Sequence, residues 1–262
     1  MQVKNNDNKM KVIFTPEKCP GIGKSVFPII VLIILLSSCN QQKETNNQDT
    51  TETKISGVGI EIAKNYHEGK LQSEFSLRDS LKEGLGKIYY LDGKLSSVCN
   101  YSKGLKNGVE EKYYPEGSLY RTREYIDGKI NGLEKRYYRN GKLKTVLTYK
   151  NDMPGTGLIE YNRDGSPVTE YPEFTYEIIN NRDYDRQKLL IIYFRGFSKN
   201  VSFYEGQLVE GKYFDNSASP CGMLDGKAEI GFYPDSHVEV TISAKCITSN
   251  VAPFVIEKKI VL

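Results

Sequence analysis

Glycine recurs every 24 residues through the middle of this chain, at Gly69, Gly93, Gly117, Gly141 and Gly165. Other residues keep the same step. Tyr66, Tyr90, Tyr114 and Tyr138 lie three positions before the glycines, and Leu71, Leu95, Leu119 and Leu143 two after. Tyr101, Tyr125 and Tyr149 form a further set, as do Gly84, Gly108 and Gly132. Agreement across five registers marks a tandem repeat, in which each unit is one supersecondary element that buries its apolar side against its neighbours. The 19 Tyr and the absence of Trp fit a β-rich chain.

The chemistry of the unit predicts hairpins. Asp92-Gly93, Asn140-Gly141 and Asp164-Gly165 are favoured in two-residue turns, which need positive φ at both positions. Such a turn at Asn140-Gly141 sets Arg139 against Lys142 and Tyr138 across from Leu143. Side chains alternate along a strand, so Tyr138, Leu143, Leu147 and Tyr149 then share a side, as do Tyr90, Leu95, Cys99 and Tyr101. A second turn at Lys103-Gly104 or Asp127-Gly128 leads into the next unit, giving a meander that grows by two strands, about 10 Å, per repeat. This register makes the Tyr90, Tyr114 and Tyr138 side the packed one. Tyr89, Tyr113, Tyr137 and Tyr161 fall on the opposite side, beside Leu85, Val109 and Leu133. There they are a candidate ligand face for stacking sugars or peptides; the alternative is two half-buried aromatic stripes that stabilise a thin sheet.

The unit Gly132-Leu-Glu-Lys-Arg-Tyr-Tyr-Arg-Asn-Gly-Lys-Leu143 resembles the bacterial variant of the MORN repeat, over about Tyr66–Tyr171. The resemblance implies a single-layer twisted β-sheet. Many bacterial members carry the label of antitoxin component of a toxin–antitoxin system. The pattern departs at Asn151-Asp152, where other units have a Gly, and at Thr156, as a capping unit would.

The N-terminus reads as an export signal. Val26–Leu36 (VFPIIVLIILL) is an apolar run of 11 residues preceded by lysines. A bilayer-spanning helix needs about 20, so this is the hydrophobic segment of a signal peptide. Leu36-Ser37-Ser38-Cys39 follows and resembles the lipobox of bacterial lipoproteins, implying cleavage before Cys39 and lipidation of its thiol. Translation starts at Met1 or Met10. Gly21-Ile22-Gly23-Lys24-Ser25 hints at a phosphate loop, but Lys18 stands where that motif needs its first Gly. The 36 basic and 33 acidic residues include five Lys and two acids before Cys39, leaving 31 of each in the mature chain. That balance argues against an electrostatic grip on nucleic acid. Asn40–Ile55 is polar and without period, and is expected to be a flexible tether.

Beyond Tyr171 the period stops. Phe174–Ile179, Lys188–Phe194, Val201–Tyr213, Lys227–Tyr233, Val238–Cys246 and Phe254–Leu262 are β-prone runs, and Asp215–Pro220 is a turn cluster. They predict a β-sandwich-like domain, without the Trp of immunoglobulin domains. Cys221 and Cys246 either form a disulfide, worth about 3 kcal/mol, or remain two buried thiols. Cys99 stands where Arg123 and Leu147 stand in other units. His67 and His237 fall in turns without ligands at metal spacing.

The sequence thus reads as an all-β chain: signal peptide 1–38, tether 39–58, repeat sheet 59–171 and sandwich 172–262. No catalytic, cofactor or metal constellation stands out, which predicts a non-enzymatic binding scaffold of the cell envelope, anchored to inner or outer membrane through Cys39. Envelope protein is the expected partner class; a cell-wall glycan binder and an antitoxin or immunity protein are the alternatives.

Overall fold

In a computed structural model of the chain, the described residues are 50–56, 59–181, 187–196, 198–215, 220–233 and 239–262. The leader, Cys39, residues 40–49 and His237 lie outside them. The described chain is all-β and its strand pairs are antiparallel, as the residue pattern predicts.

The repeats build one 12-stranded sheet. Its strands are β1 (Thr50–Ser56), β2 (Ile60–His67), β3 (Lys70–Arg78), β4 (Leu81–Tyr89), β5 (Leu95–Ser102) and β6 (Leu105–Lys106), then β7 (Gly108–Tyr113), β8 (Leu119–Ile126), β9 (Lys129–Tyr137), β10 (Leu143–Lys150), β11 (Met153–Pro154) and β12 (Ile159–Glu160). Neighbours in sequence are neighbours in the sheet, apart from the short β6 and β12 beside β5 and β10. β1 falls in the stretch expected to be tether: Thr50–Ser56 pairs with β2 as an edge strand. Its run of threonines suits an extended chain, and the open edge of β2 is a template for pairing.

Two kinds of turn alternate, and one differs from expectation. Lys103-Gly104, Asp127-Gly128 and Asn151-Asp152 have positive φ at both positions, the two-residue hairpin geometry. Asn151-Asp152 adopts it without glycine because short polar side chains tolerate the left-handed region. At Asn140-Gly141 only the glycine has positive φ, at 80°. Gly141 N–H donates to Tyr138 O and Tyr138 N–H to Lys142 O, which defines a three-residue loop of a type I turn closed by a glycine bulge. Asn140 Oδ1 accepts from Lys142 N–H at 3.1 Å, and Asp92 does the same for Lys94. The third copy, Pro115-Glu116-Gly117, shows why: proline's fixed φ of about −65° suits the first position of the three-residue loop, whereas beside a two-residue turn at Glu116-Gly117 it would lack the N–H that closes the hairpin.

At Glu68-Gly69 both positions have positive φ and Tyr66 sits across from Leu71, the expected register; in the next three units one extra loop residue moves the pairing. Leu95, Leu119 and Leu143 sit across from Tyr89, Tyr113 and Tyr137, not from Tyr90, Tyr114 and Tyr138. A bulge directly after each leucine restores the register, so Leu147 and Tyr149 do face the side of Tyr138. Leu95, Leu119 and Leu143 therefore belong to the face opposite the one the sequence suggested.

The C-terminal region forms a sandwich. β13 (Glu173–Asn180), β14 (Lys188–Arg195), β17 (Lys227–Phe232) and β16 (Met223–Leu224) make one sheet in the order β13-β14-β17-β16, and β15 (Lys199–Glu205), β18 (Glu239–Ile247) and β19 (Pro253–Val261) the other. Phe174, Leu190, Ile192, Phe203, Ile242 and Ile260 fill the space between them. The strand expected over Val201–Tyr213 ends at Glu205. Gly206, at φ 133°, turns the chain away, and the next segment joins the repeat sheet, where Tyr213 bridges Gly155 and Phe214 N–H donates to Pro154 O. A second contact joins the two regions: Leu147, Tyr149 and Leu158 pack with Ala252, and Tyr171 stacks on Phe254.

Cys221 and Cys246 are unbridged in this arrangement. Pro220 and β18 both pair with Tyr204, on opposite edges of β15. The two cysteines are thus separated by two strand spacings, about 9–10 Å, beyond the roughly 7 Å a disulfide spans. Each is a half-buried or buried thiol, and burial pushes the Cys246 thiol up to about 12.

Gly86 gives a direct test of the sheet's packing. A Cβ there would lie 2.6 Å from Phe75 Cδ1 and 2.7 Å from Tyr101 Cε2, two rings in edge contact above it. Gly86→Ala should cost about 1–3 kcal/mol of stability through overpacking, measured by urea unfolding. The same substitution beside Phe75→Leu should cost less, because one of the two obstructing rings is gone and the Tyr101 ring gains room to shift.

Candidate functional site

The repeat sheet has two unlike faces. On the inner face, equivalent positions of successive units carry Gly86, Glu110, Glu134 and Leu158, and the next row carries Ile88, Lys112, Arg136 and Glu160. Glu110 and Glu134 are each 2% exposed. Cross-strand pairing runs Glu110–Arg123–Glu134–Leu147. Glu110 accepts from Lys106 and from Arg121 Nη2 (3.0 Å), and Glu134 from Arg123 and from Arg136 Nε (2.7 Å). Burial opposes the charge of Glu110, yet Lys106 and Arg121 outweigh it and hold the carboxyl below its ordinary pKa.

Beside this charged band runs a hydroxyl ladder. Tyr90 Oη donates to Tyr113 O at 2.6 Å, Tyr114 to Tyr137 O at 2.9 Å, and Tyr138 to Tyr161 O at 2.7 Å. The second tyrosine of each pair thereby ties its unit to the backbone of the next.

The outer face carries the residues predicted as a ligand face. Tyr89, Tyr113 and Tyr137 lie there in one row, each half-buried and set against Leu95, Leu119 or Leu143. The Tyr113 hydroxyl donates to Glu111, and that bond, with burial added, raises its pKa to about 12. Tyr161 stands at the end of β12, bridged to Pro167. Beyond the tyrosines the face mixes charged residues such as Glu111 and Lys135 with open apolar ones: Leu85, Val109 and Ile159 are 43–48% exposed. His67 pairs with Lys70 at the first turn. Among the described residues no group of His, Cys, Asp and Glu could hold a metal ion.

Sequence reasoning missed the buried glutamates, although Glu110 and Glu134 keep the 24-residue step. It also missed the joint at Glu160. This carboxylate is 2% exposed, accepts from Thr248 Oγ1 at 2.7 Å, and makes no ion pair among the described residues, Lys144 acting on it only through space. Burial raises its pKa, against the pull of the Thr248 hydrogen bond. Close by, Arg136 Nη1 donates to Val251 O at 2.6 Å.

Three segments, residues 82–103, 106–127 and 130–151, match the family model described as the MORN repeat variant. Each match is one hairpin with its outgoing turn: β4 to β5, β7 to β8, β9 to β10. This is a non-catalytic repeat family, and MORN repeats are generally associated with protein or membrane binding. A search of curated proteins found no match.

Two measurements test the inner face. Tyr114→Phe and Tyr138→Phe should each cost about 0.5–1.5 kcal/mol, one buried hydrogen bond. Tyr137→Phe should cost close to nothing, and equal losses would refute the ladder. Glu160 holds its proton more tightly folded than unfolded, so the penalty for its charge is fully present above the folded pKa and gone below the ordinary 4.5. Glu160→Gln should therefore raise Tm at pH 7, with the gain fading on acidification to below pH 4.5.

Proposed function

We propose that this chain is a non-enzymatic binding scaffold of the cell envelope, held at a membrane through lipidated Cys39, with protein as its ligand class. The observation that carries the reading is the outer face of the repeat sheet, where Leu85 and Val109 stand exposed in a row repeated at 24 residues. Exposed apolar rows on a rigid sheet are the surfaces that protein partners cover. The association of MORN repeats with protein and membrane binding supports the same reading. A sugar-stacking role for Tyr89, Tyr113 and Tyr137 is less well supported, because the rings lie half-buried against leucines and the Tyr113 hydroxyl is engaged by Glu111.

Two experiments test the proposal. Tagged full-length protein should capture a partner from envelope extracts, and Leu85→Glu with Val109→Glu should abolish capture without lowering Tm, since both side chains are exposed. Capture that survives the double variant would overturn the choice of face. For the anchor, labelled palmitate should incorporate into the wild type and not into Cys39→Ser; labelling of the variant would refute lipidation at Cys39.

A further inference from the structure

The inner face carries more positive charge than its glutamates neutralise, and the surplus gathers at one place. A cleft of about 360 Å³ opens beside the hydroxyl ladder, lined by Tyr114, Tyr138, Arg139, Asn140, Lys144 and Arg163. The turns place the cations there. Arg139 and Arg163 are the first residues of successive three-residue loops, and Lys144 occupies the bulge after Leu143. Asn140 Nδ2 donates to Arg163 O at 3.1 Å and ties the two loops together.

The charges in this cleft are poorly matched from within. Arg139 pairs with Glu116, both oxygens at 2.8 Å, on the outer rim. Lys144 and Arg163 make no ion pair with any described residue. Lys144 lies 5.5 Å from the centre of the Tyr138 ring, and Arg139 4.9 Å from that of Tyr114. Glu160 accepts from Thr248 and acts on Lys144 only through space, without an ion-pair contact. Burial first, and Arg136 next to it, hold the Lys144 ammonium below its ordinary pKa, so a bound anion would relieve it. Two unpaired cations, a third at the rim and two aromatic walls in a partly dry cleft form a receptor for an oxyanion attached to a body that can lie between the rings.

We infer that the Tyr114–Tyr138 cleft is an oxyanion site that receives a carboxylate side chain from an acidic segment of a protein partner. The site rests on the geometry, and the choice of a protein source rests on the binding function proposed above. The two surfaces are separate: apolar rows on the outer face, a cationic cleft on the inner. Arg163 offers a planar fork that suits carboxylate geometry, Lys144 supplies a point charge, and Arg139, held by Glu116, adds positive potential at the rim.

The test uses the purified full chain and a labelled short peptide of alternating Glu and Asp, followed by fluorescence anisotropy. The acidic peptide should bind at low salt and weaken at raised salt, while its Gln/Asn counterpart should not bind. Lys144→Gln with Arg163→Gln should weaken binding by about tenfold or more while the chain still unfolds cooperatively, because neither cation makes an ion pair with a described residue. Lys135→Gln, which removes a charge from the outer face, should leave binding intact. Equal loss in both variants, or no loss in the first, would overturn the site. Competition by inorganic phosphate as strong as by the peptide, or binding of a uronic-acid oligosaccharide without the peptide, would overturn the protein assignment. Envelope-partner capture that persists in Lys144→Gln with Arg163→Gln, where the peptide no longer binds, would leave the scaffold reading standing and remove the cleft as its contact.

Discussion

Among the described residues no second layer lies over the middle of the repeat sheet, which has to make its interior from its own side chains. This constraint governs the repeat region. Leucine or phenylalanine in the central row would lie half in water. Glutamate and arginine instead reach across neighbouring strands, lay their methylene stems over the sheet and neutralise each other at the tips. The central row shows the rule by where it changes. It is charged at Glu110 and Glu134, in the open stretch. It becomes Gly86 at one end, under the Phe75 and Tyr101 rings, and Leu158 at the other, under Ala252 and Phe254. At the sandwich end apolar packing returns under a second layer; at the other the rings of adjacent strands fold over the glycine themselves.

The charged row has a consequence for specificity. A buried ion pair contributes little net stability against well-packed apolar residues, yet losing one partner leaves an uncompensated charge and costs about 3–5 kcal/mol. Glu134 faces Arg123 and Arg136 together, so a strand slipped by one residue would send the carboxylate to the outer face and strand both cations. The pairing of β8, β9 and β10 is thus held by charge as well as by the hydroxyl ladder.

Much of this was legible in the residues, because a meander of hairpins is a local structure and its turns are written in adjacent positions. The period, the strand count per unit, the side shared by Tyr125 and Tyr149, and five of the six strand runs beyond Tyr171 follow from alternation and turn chemistry. The register at Asn140-Gly141 was misread because that dipeptide serves both a two-residue and a three-residue loop; Pro115, one unit earlier, carried the information that separates them. The end of the run at Val201–Tyr213 was marked by Gly206. The joint was not legible. Glu160 meets Thr248 and Leu147 meets Ala252 across roughly a hundred residues of chain, and no periodicity relates positions that meet only after both regions have folded.

The hydroxyl ladder has a direction. Each rung runs from a tyrosine to the carbonyl of the unit that follows, so a unit added between existing ones finds a donor behind it and an acceptor ahead. The last rung ends differently: Tyr138 reaches Tyr161 and also lies 3.4 Å from Asn250 of the sandwich. Pro154 and Gly155 are already paired with the segment around Tyr213. The array can therefore lengthen by duplication in its interior while the joint at its far end stays as it is. In such a lineage the reach of the sheet and the attachment of its terminal domain would evolve independently, one by gene duplication and the other by point substitution.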